Sequence, residues 1–187
     1  MKKLILLAAF AVFSFTQVNA QFKVGAFFGL PMADASDTHS FNVGIDAAYL
    51  FDIVDSFQVG PATGYSHSFG KEIDSPFGGL PGGNSILKAS DDKYDDFQFI
   101  PIAAAARFNL DALYFGADLG YAIGLNDGND GGVYYRPKVG YNFGPVAAFL
   151  SYTGISMAKK KETIMGMEVE TGGGTFGSLN VGAEFSF

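Results

Sequence analysis

The feature that most constrains this chain is a strict two-residue alternation, clearest over its last ten residues. Leu179, Val181, Ala183, Phe185 and Phe187 fall on one side, and Ser178, Asn180, Gly182, Glu184 and Ser186 on the other. An extended strand separates odd from even residues in this way, whereas a helix mixes them. The pattern recurs. Phe41, Val43, Ile45, Ala47 and Tyr49 alternate with Asn42, Gly44, Asp46 and Ala48. The stretches 57–66, 113–121 and 133–141 behave likewise, with Asp118, Arg136 and Lys138 on their polar faces. In Phe22–Leu30, Val24, Ala26 and Phe28 oppose Lys23, Gly25 and Phe27. Phe97–Phe108 is nearly all apolar, and its faces are assigned by placing Arg107 inward; Val146–Thr153 is similar, and its facing stays open. These are eight strands, each near the roughly nine to eleven residues that a tilted membrane strand needs.

Connection lengths organise the strands. Short turns are expected near Asp52–Asp55, Asn109–Asp111 and Asn142–Pro145, and longer connections at 31–40, 70–93, 124–132 and 154–174. Alternating short turns and long loops is the pattern of an up-and-down outer-membrane barrel, and an even strand number puts both termini on the periplasmic side. Composition points the same way. Hydrophobic residues make up 48% of the chain and aromatics 16%, with 25 glycines. Yet no run beyond the first twenty residues is long enough for a membrane helix. A soluble β-sandwich or lipocalin-like barrel is the competing fold. Against it stand a polar face dominated by Gly, Ala and Ser, which suits a crowded lumen, and Tyr and Phe recurring at strand ends, as interfacial girdles require. The expectation is an all-β, eight-stranded antiparallel transmembrane barrel.

The N-terminus reads as an export signal. Lys2 and Lys3 precede the apolar run Leu4–Phe15, and Val18-Asn19-Ala20 fits a small-residue cleavage site. A signal peptide over 1–20 and a barrel domain over 21–187 follow. With no Cys after the apolar run, no lipid anchor is expected. Removing Lys2 and Lys3 leaves 10 of the 12 basic residues against 19 acidic ones, a net charge of −9. Such a chain offers no basic surface to nucleic acid. The absence of Cys also excludes disulfides, thiolate metal sites and a Cys nucleophile.

The leader, the alternating strands, Val24-Gly25-Ala26-Phe27-Phe28-Gly29, Ile100-Pro101-Ile102 and the terminal Glu184-Phe185-Ser186-Phe187 together resemble the small outer-membrane β-barrel family. That family includes OmpX-like proteins and OmpA-like membrane domains, and is often labelled a porin family. The resemblance implies a Gram-negative outer-membrane location. It implies that barrel-assembly machinery reads Phe187, helped by Leu179, Val181, Ala183 and Phe185, with periplasmic chaperones acting during biogenesis. No peptidoglycan-binding domain follows Phe187, so cell-wall tethering is not expected.

Candidate chemistry lies in the lumen and at the outer rim. Lys23, Asp46, Arg107, Asp118, Arg136, Lys138 and Glu184 are expected inside. Buried charges must be paired or watered, because desolvating a lone ion costs several kcal/mol. A register symmetric about Gly128 sets Asp118 opposite Lys138; similar reasoning sets Arg107 opposite Tyr114 and brings Glu184 near Lys23. Symmetry about Val54 makes His39 and His67 diagonal neighbours on the outward face. His67-Ser68 is not a catalytic dyad, since adjacent strand residues point to opposite faces. No enzyme, cofactor or metal site is therefore expected, and a lipid-modifying enzyme is a remote alternative. Asp91, Asp92, Asp95 and Asp96 form either a solvated run or a divalent-cation site. Thr163–Thr171, after Lys159-Lys160-Lys161, forms either a projecting hairpin or a loop whose lysines meet lipopolysaccharide phosphates. The overall expectation is a monomeric structural and surface-interaction barrel in contact with outer-membrane lipid. A small channel for ions or solutes is the alternative.

Overall fold

The computed structural model describes residues 20–72, 93–126, 129–164 and 167–187, and for 159–172 the backbone alone. Residues 1–19 of the expected signal peptide, the stretch Phe77–Gly83 and the acidic residues Asp91 and Asp92 lie outside the described residues. Eight antiparallel strands close on themselves in sequence order. They are β1 (Ala20–Met32), β2 (His39–Val54), β3 (Phe57–Gly70), β4 (Phe97–Leu110), β5 (Leu113–Gly124), β6 (Gly132–Phe143), β7 (Val146–Ile164) and β8 (Met167–Ser186). A five-residue helix, α1 (Asp34–Thr38), joins β1 to β2. Closure runs from Lys23↔Ser186 to Met32↔Gly177, so among the described strands none is left as a bare edge along the barrel wall.

Three two-residue turns gather at one end with the termini of β1 and β8. This is the turn end; α1 and the longer connections mark the loop end. At the β6–β7 turn Gly144 adopts φ 82°, a left-handed conformation that suits glycine.

The alternation sorts side chains as the sequence leads one to expect, and it settles β7. Ala147, Phe149, Ser151 and Thr153 are buried inward, whereas Val146 and Leu150 face out. The wall is inside out relative to a water-soluble protein. Ile45, Ile102, Leu119 and Val181 are each more than half exposed, while Arg107, Arg136 and Lys138 are at most 5% exposed. Burying apolar surface is worth about 25 cal/mol per Å², so this exterior is stable only against hydrocarbon. Aromatic rings mark both ends of the wall. Tyr141 and Phe143 (4.8 Å between centroids) and Phe185 and Phe187 (4.8 Å) lie at the turn end. Phe28, Phe41 and Phe69 stack successively at the loop end, at 5.8 and 4.6 Å.

Three expected pairings are corrected. Asp118 stands opposite Arg136, and Lys138 opposite Gly116. Arg107 stands opposite Gly116, and Tyr114 opposite Asn109. Both registers are displaced by two residues, a slip that leaves every side chain on its own face and is therefore invisible to a period-two pattern. In β2, a register irregularity between His39 and Phe41 inserts an extra residue. That bulge turns His39 off the outward face. Its ring packs edge-on against Phe97 and Phe176, away from His67.

Candidate functional site

The inward residues form zones along the barrel. Nearest the turn end, Gln58 donates through Nε2 to Asp52 Oδ1 (2.7 Å), and a cavity of about 630 Å³ opens between Lys23, Asp52, Asp55, Gln58, Asp111 and Asn142.

Above it lie the seven ionisable residues placed inside from the sequence. Arg107 Nη1 donates to Asp118 Oδ1 at 2.6 Å across β4 and β5. Arg136 Nη1 donates to Asp46 Oδ2 at 2.6 Å, across the lumen from β6 to β2, and its Nε donates to Ser151 Oγ at 3.1 Å. Lys138 Nζ lies between two carboxylates, 3.2 Å from Glu184 Oε2 and 3.7 Å from Asp46 Oδ2. Lys23 Nζ is 3.9 Å from Glu184 Oε1. The cations also rest on aromatic faces. The Arg136 guanidinium is 4.6 Å from the Phe27 centroid, and the Lys138 ammonium is 4.1 Å from that of Phe149. Such contacts strengthen when water is excluded.

Small residues make room for this cluster. A side chain on Gly116 would place Cβ 2.6 Å from Arg107 Cδ, and one on Gly140 would meet the Tyr114 ring. Gly116 and Gly140 are thus notches into which the Arg107 and Tyr114 side chains fold.

Toward the loop end the chemistry changes twice. First comes a neutral polar group contributed by β2, β7 and β8. Asn42 Nδ2 donates to Asn180 Oδ1 (3.1 Å), Ser178 Oγ to Asn42 Oδ1 (2.6 Å), and Asn180 Nδ2 to Thr153 Oγ1 (3.0 Å). Beyond it, Phe99, Tyr134, Ile155, Phe176 and Ala35 of α1 form a buried apolar cluster joined by Phe97 and Met157. The alternation had already placed Asn42 and Asn180 on polar faces. Placing Arg107 inward also turns Phe97 and Phe99 inward, but their convergence with Ile155 and Phe176 was hidden, because Ile155 lies in the expected connection 154–174 and Phe176 before the alternating stretch that begins at Ser178.

On the outer wall at the loop end, His67 Nε2 lies 3.0 Å from Asp96 Oδ2 and Nδ1 lies 3.2 Å from the Tyr65 hydroxyl, with the ring stacked on Phe69. Asp96 Oδ1 accepts the Gly70 N–H and the Lys93 ammonium, each at 2.9 Å. The Gly70 N–H, then Lys93, hold the Asp96 carboxyl well below the usual carboxylate range. These contacts tie β3 to the start of β4 at the foot of the long connection. Ser68 is fully buried inward, so it faces away from His67. Among the described residues no three His, Asp or Glu side chains converge to hold a metal.

No protein-family model and no curated protein matches the sequence. Among solved structures, the chain is similar to the Yersinia pestis outer membrane protein Ail in a phospholipid bilayer nanodisc. The TM-score is 0.50 at 13% identity, over 90% of this chain and 100% of that one. A crystal structure of Ail, the attachment invasion locus protein of Yersinia pestis, gives 0.46 at 14%, over 90% and 97%. Neisserial surface protein A gives 0.43 at 17%, also over 90% and 97%. At such identities the likeness is one of fold. With its apolar wall and charged interior, the chain is an eight-stranded transmembrane β-barrel of the fold that Ail adopts in a bilayer.

Proposed function

We propose that this chain is an outer-membrane barrel of structural and surface-interaction type, its lumen stopped by its own side chains and its loop end turned outward. The observation that carries the reading is the content of the lumen: ion pairs as short as 2.6 Å lie beneath a buried aromatic cluster. An eight-stranded barrel has an interior about wide enough to be filled by side chains. The turn end then faces the periplasm, as short turns do in outer-membrane barrels. At the other end β7 and β8 stay paired out to Ile164↔Met167, although β6 leaves β7 at Ser156 and β1 leaves β8 at Gly177. The result is a two-stranded ribbon whose outer edges, among the described residues, pair with no further strand. Free edges add partner strands, and Lys159-Lys160-Lys161 in the ribbon suits lipopolysaccharide phosphates. Catalysis and a bound cofactor have no part in this reading, and the barrel acts as a monomer.

Leu179, Val181, Phe185 and Phe187 form one exposed stripe, with Ala183 in phase. In our reading the barrel-assembly machinery engages this stripe after chaperoned transit. Replacing Phe187 with Asp should lower the amount of assembled barrel in cells while export continues, as read by heat-modifiable migration on cold gels.

Planar-bilayer recording tests the main claim: the barrel should give no steady unitary conductance. The cavity at the turn end favours a second reading, a small channel for ions or solutes. Reproducible channels above background would establish that reading in place of the first.

A further inference from the structure

We propose that the two-stranded ribbon of β7 and β8, resting on its reading above as a contact element, is a jointed arm. It pivots at Gly173 and Gly174 between the open attitude of this structure and a closed one folded onto α1. Three observations lead there. The first is where lateral support stops. β6 last pairs with β7 at Val133↔Ser156, and β1 last pairs with β8 at Met32↔Gly177. The two limits lie at nearly one level, since Ser156 stands opposite Thr175 and Gly154 opposite Gly177. Among the described residues, β7 and β8 then pair only with each other, out to Ile164↔Met167. At the usual rise per strand residue, an arm of about 20 Å stands on this two-stranded foot.

The second is the backbone at the foot. β8 runs through Gly172, Gly173 and Gly174, and the last two have φ of 82° and 127°. An ordinary strand residue holds φ near about −120° to −140°. The two glycines therefore bend β8 at a point where a residue with a side chain would carry it straight. Gly174 stands opposite Met157 of β7. A Cβ on Gly174 would meet nothing within 4 Å, so the bend has open space beside it.

The third is room. A recess of about 180 Å³ separates the foot from α1, with Asp34, Thr38 and His39 on one side and Met157, Gly174 and Phe176 on the other. Asp34, Gly174 and Thr175 at its rim are exposed, whereas Phe176 is buried. Phe97 and Met157, which also line it, are only partly buried. Swinging the arm toward α1 fills this space and takes their remaining apolar surface out of water. Swinging it back lifts the strand edges clear of the barrel. The attitude of the arm thus sets whether those edges are offered to a partner.

The test uses the folded barrel in phosphatidylcholine nanodiscs, without lipopolysaccharide or a partner, so its outcome does not depend on what the ribbon binds. The chain has no Cys. Asp37→Cys on α1 and Thr163→Cys near the ribbon tip therefore carry nitroxides at two positions only. Double electron–electron resonance should show two populations of distance, differing by about 10 Å, half the length of the arm. Gly173→Val/Gly174→Val favours extended backbone at the joint and should leave the longer distance alone. Thr175→Trp sets a ring at the rim of the recess with the glycines intact, and it should deplete the shorter population. If the glycine variant does not fold, wild type and Thr175→Trp decide. A single distance in wild type overturns the proposal. So does a spread that neither variant narrows, which is ordinary fraying of a hairpin tip. Both results leave strand addition standing, since it needs the edges and not the joint.

Discussion

The two halves of the lumen face the same way and are built from opposite materials. Toward the turn end, Arg107–Asp118, Arg136–Asp46 and Lys138–Glu184 fill the interior with charge. Toward the loop end, Phe97, Phe99, Ile155 and Phe176 fill it with hydrocarbon. Both halves obey one alternation, so the inward position itself does not demand polarity. What differs is how each half tolerates loss. An apolar cluster degrades by degrees as volume is removed. A charge cluster fails abruptly when one partner is lost, because the other is stranded out of water.

That contrast yields graded expectations. The largest effect belongs to the charged half. Arg107→Leu should cost about 3–5 kcal/mol in urea unfolding, the usual penalty for stranding a buried charge, while Arg107→Leu/Asp118→Leu should recover most of it. If single and double variants lose equally, the pair does not behave as a unit and the contrast fails. Next comes the notch beside it. Gly116→Val forces Cβ to within 2.6 Å of Arg107 Cδ, and overpacking of this kind costs about 1–3 kcal/mol. The aromatic half should be more forgiving: Phe176→Leu conserves most of the volume and should cost less than about 1.5 kcal/mol in the same assay.

The smallest effect lies on the outer wall. Asp96 titrates below its ordinary value of 3.8, so its anchoring contribution is complete above that pH. The contribution fades only as acid carries the solution down through the depressed value. Amide exchange at Gly70 should therefore stay slow through the ordinary carboxylate range in wild type and be fast in Asp96→Asn. Loss of protection at an ordinary carboxylate pH would remove Asp96 as the anchor.

Much of this molecule was legible in its residues. Facing was legible because a strand has two faces and a membrane barrel gives each a different solvent; Glu184 and Phe185 point apart for that reason alone. The sites of the tight turns were legible from Asp, Asn, Gly and Pro clusters. Register was not. A slip of two residues preserves every face, so Asp118 could be assigned to Lys138 when it belongs to Arg136. Nor was the bulge at the start of β2, which reversed His39 without any glycine or proline to announce it. Contacts across the lumen, such as Arg136 to Asp46, depend on barrel diameter and strand stagger. Neither quantity is written in any one strand.

The long sequence spans of the ion pairs bear on the order of assembly. Lys138 of β6 contacts Asp46 of β2, 92 positions earlier by their numbers, and Glu184 of β8, 46 positions later. Any sheet that has formed β1 to β6 but not yet received β8 carries Lys138 and Lys23 without Glu184. In hydrocarbon such a sheet bears the cost of charges that the last strand helps to neutralise. The arrangement therefore penalises half-built sheets and rewards the closed ring. Barrel closure and charge neutralisation become one cooperative event.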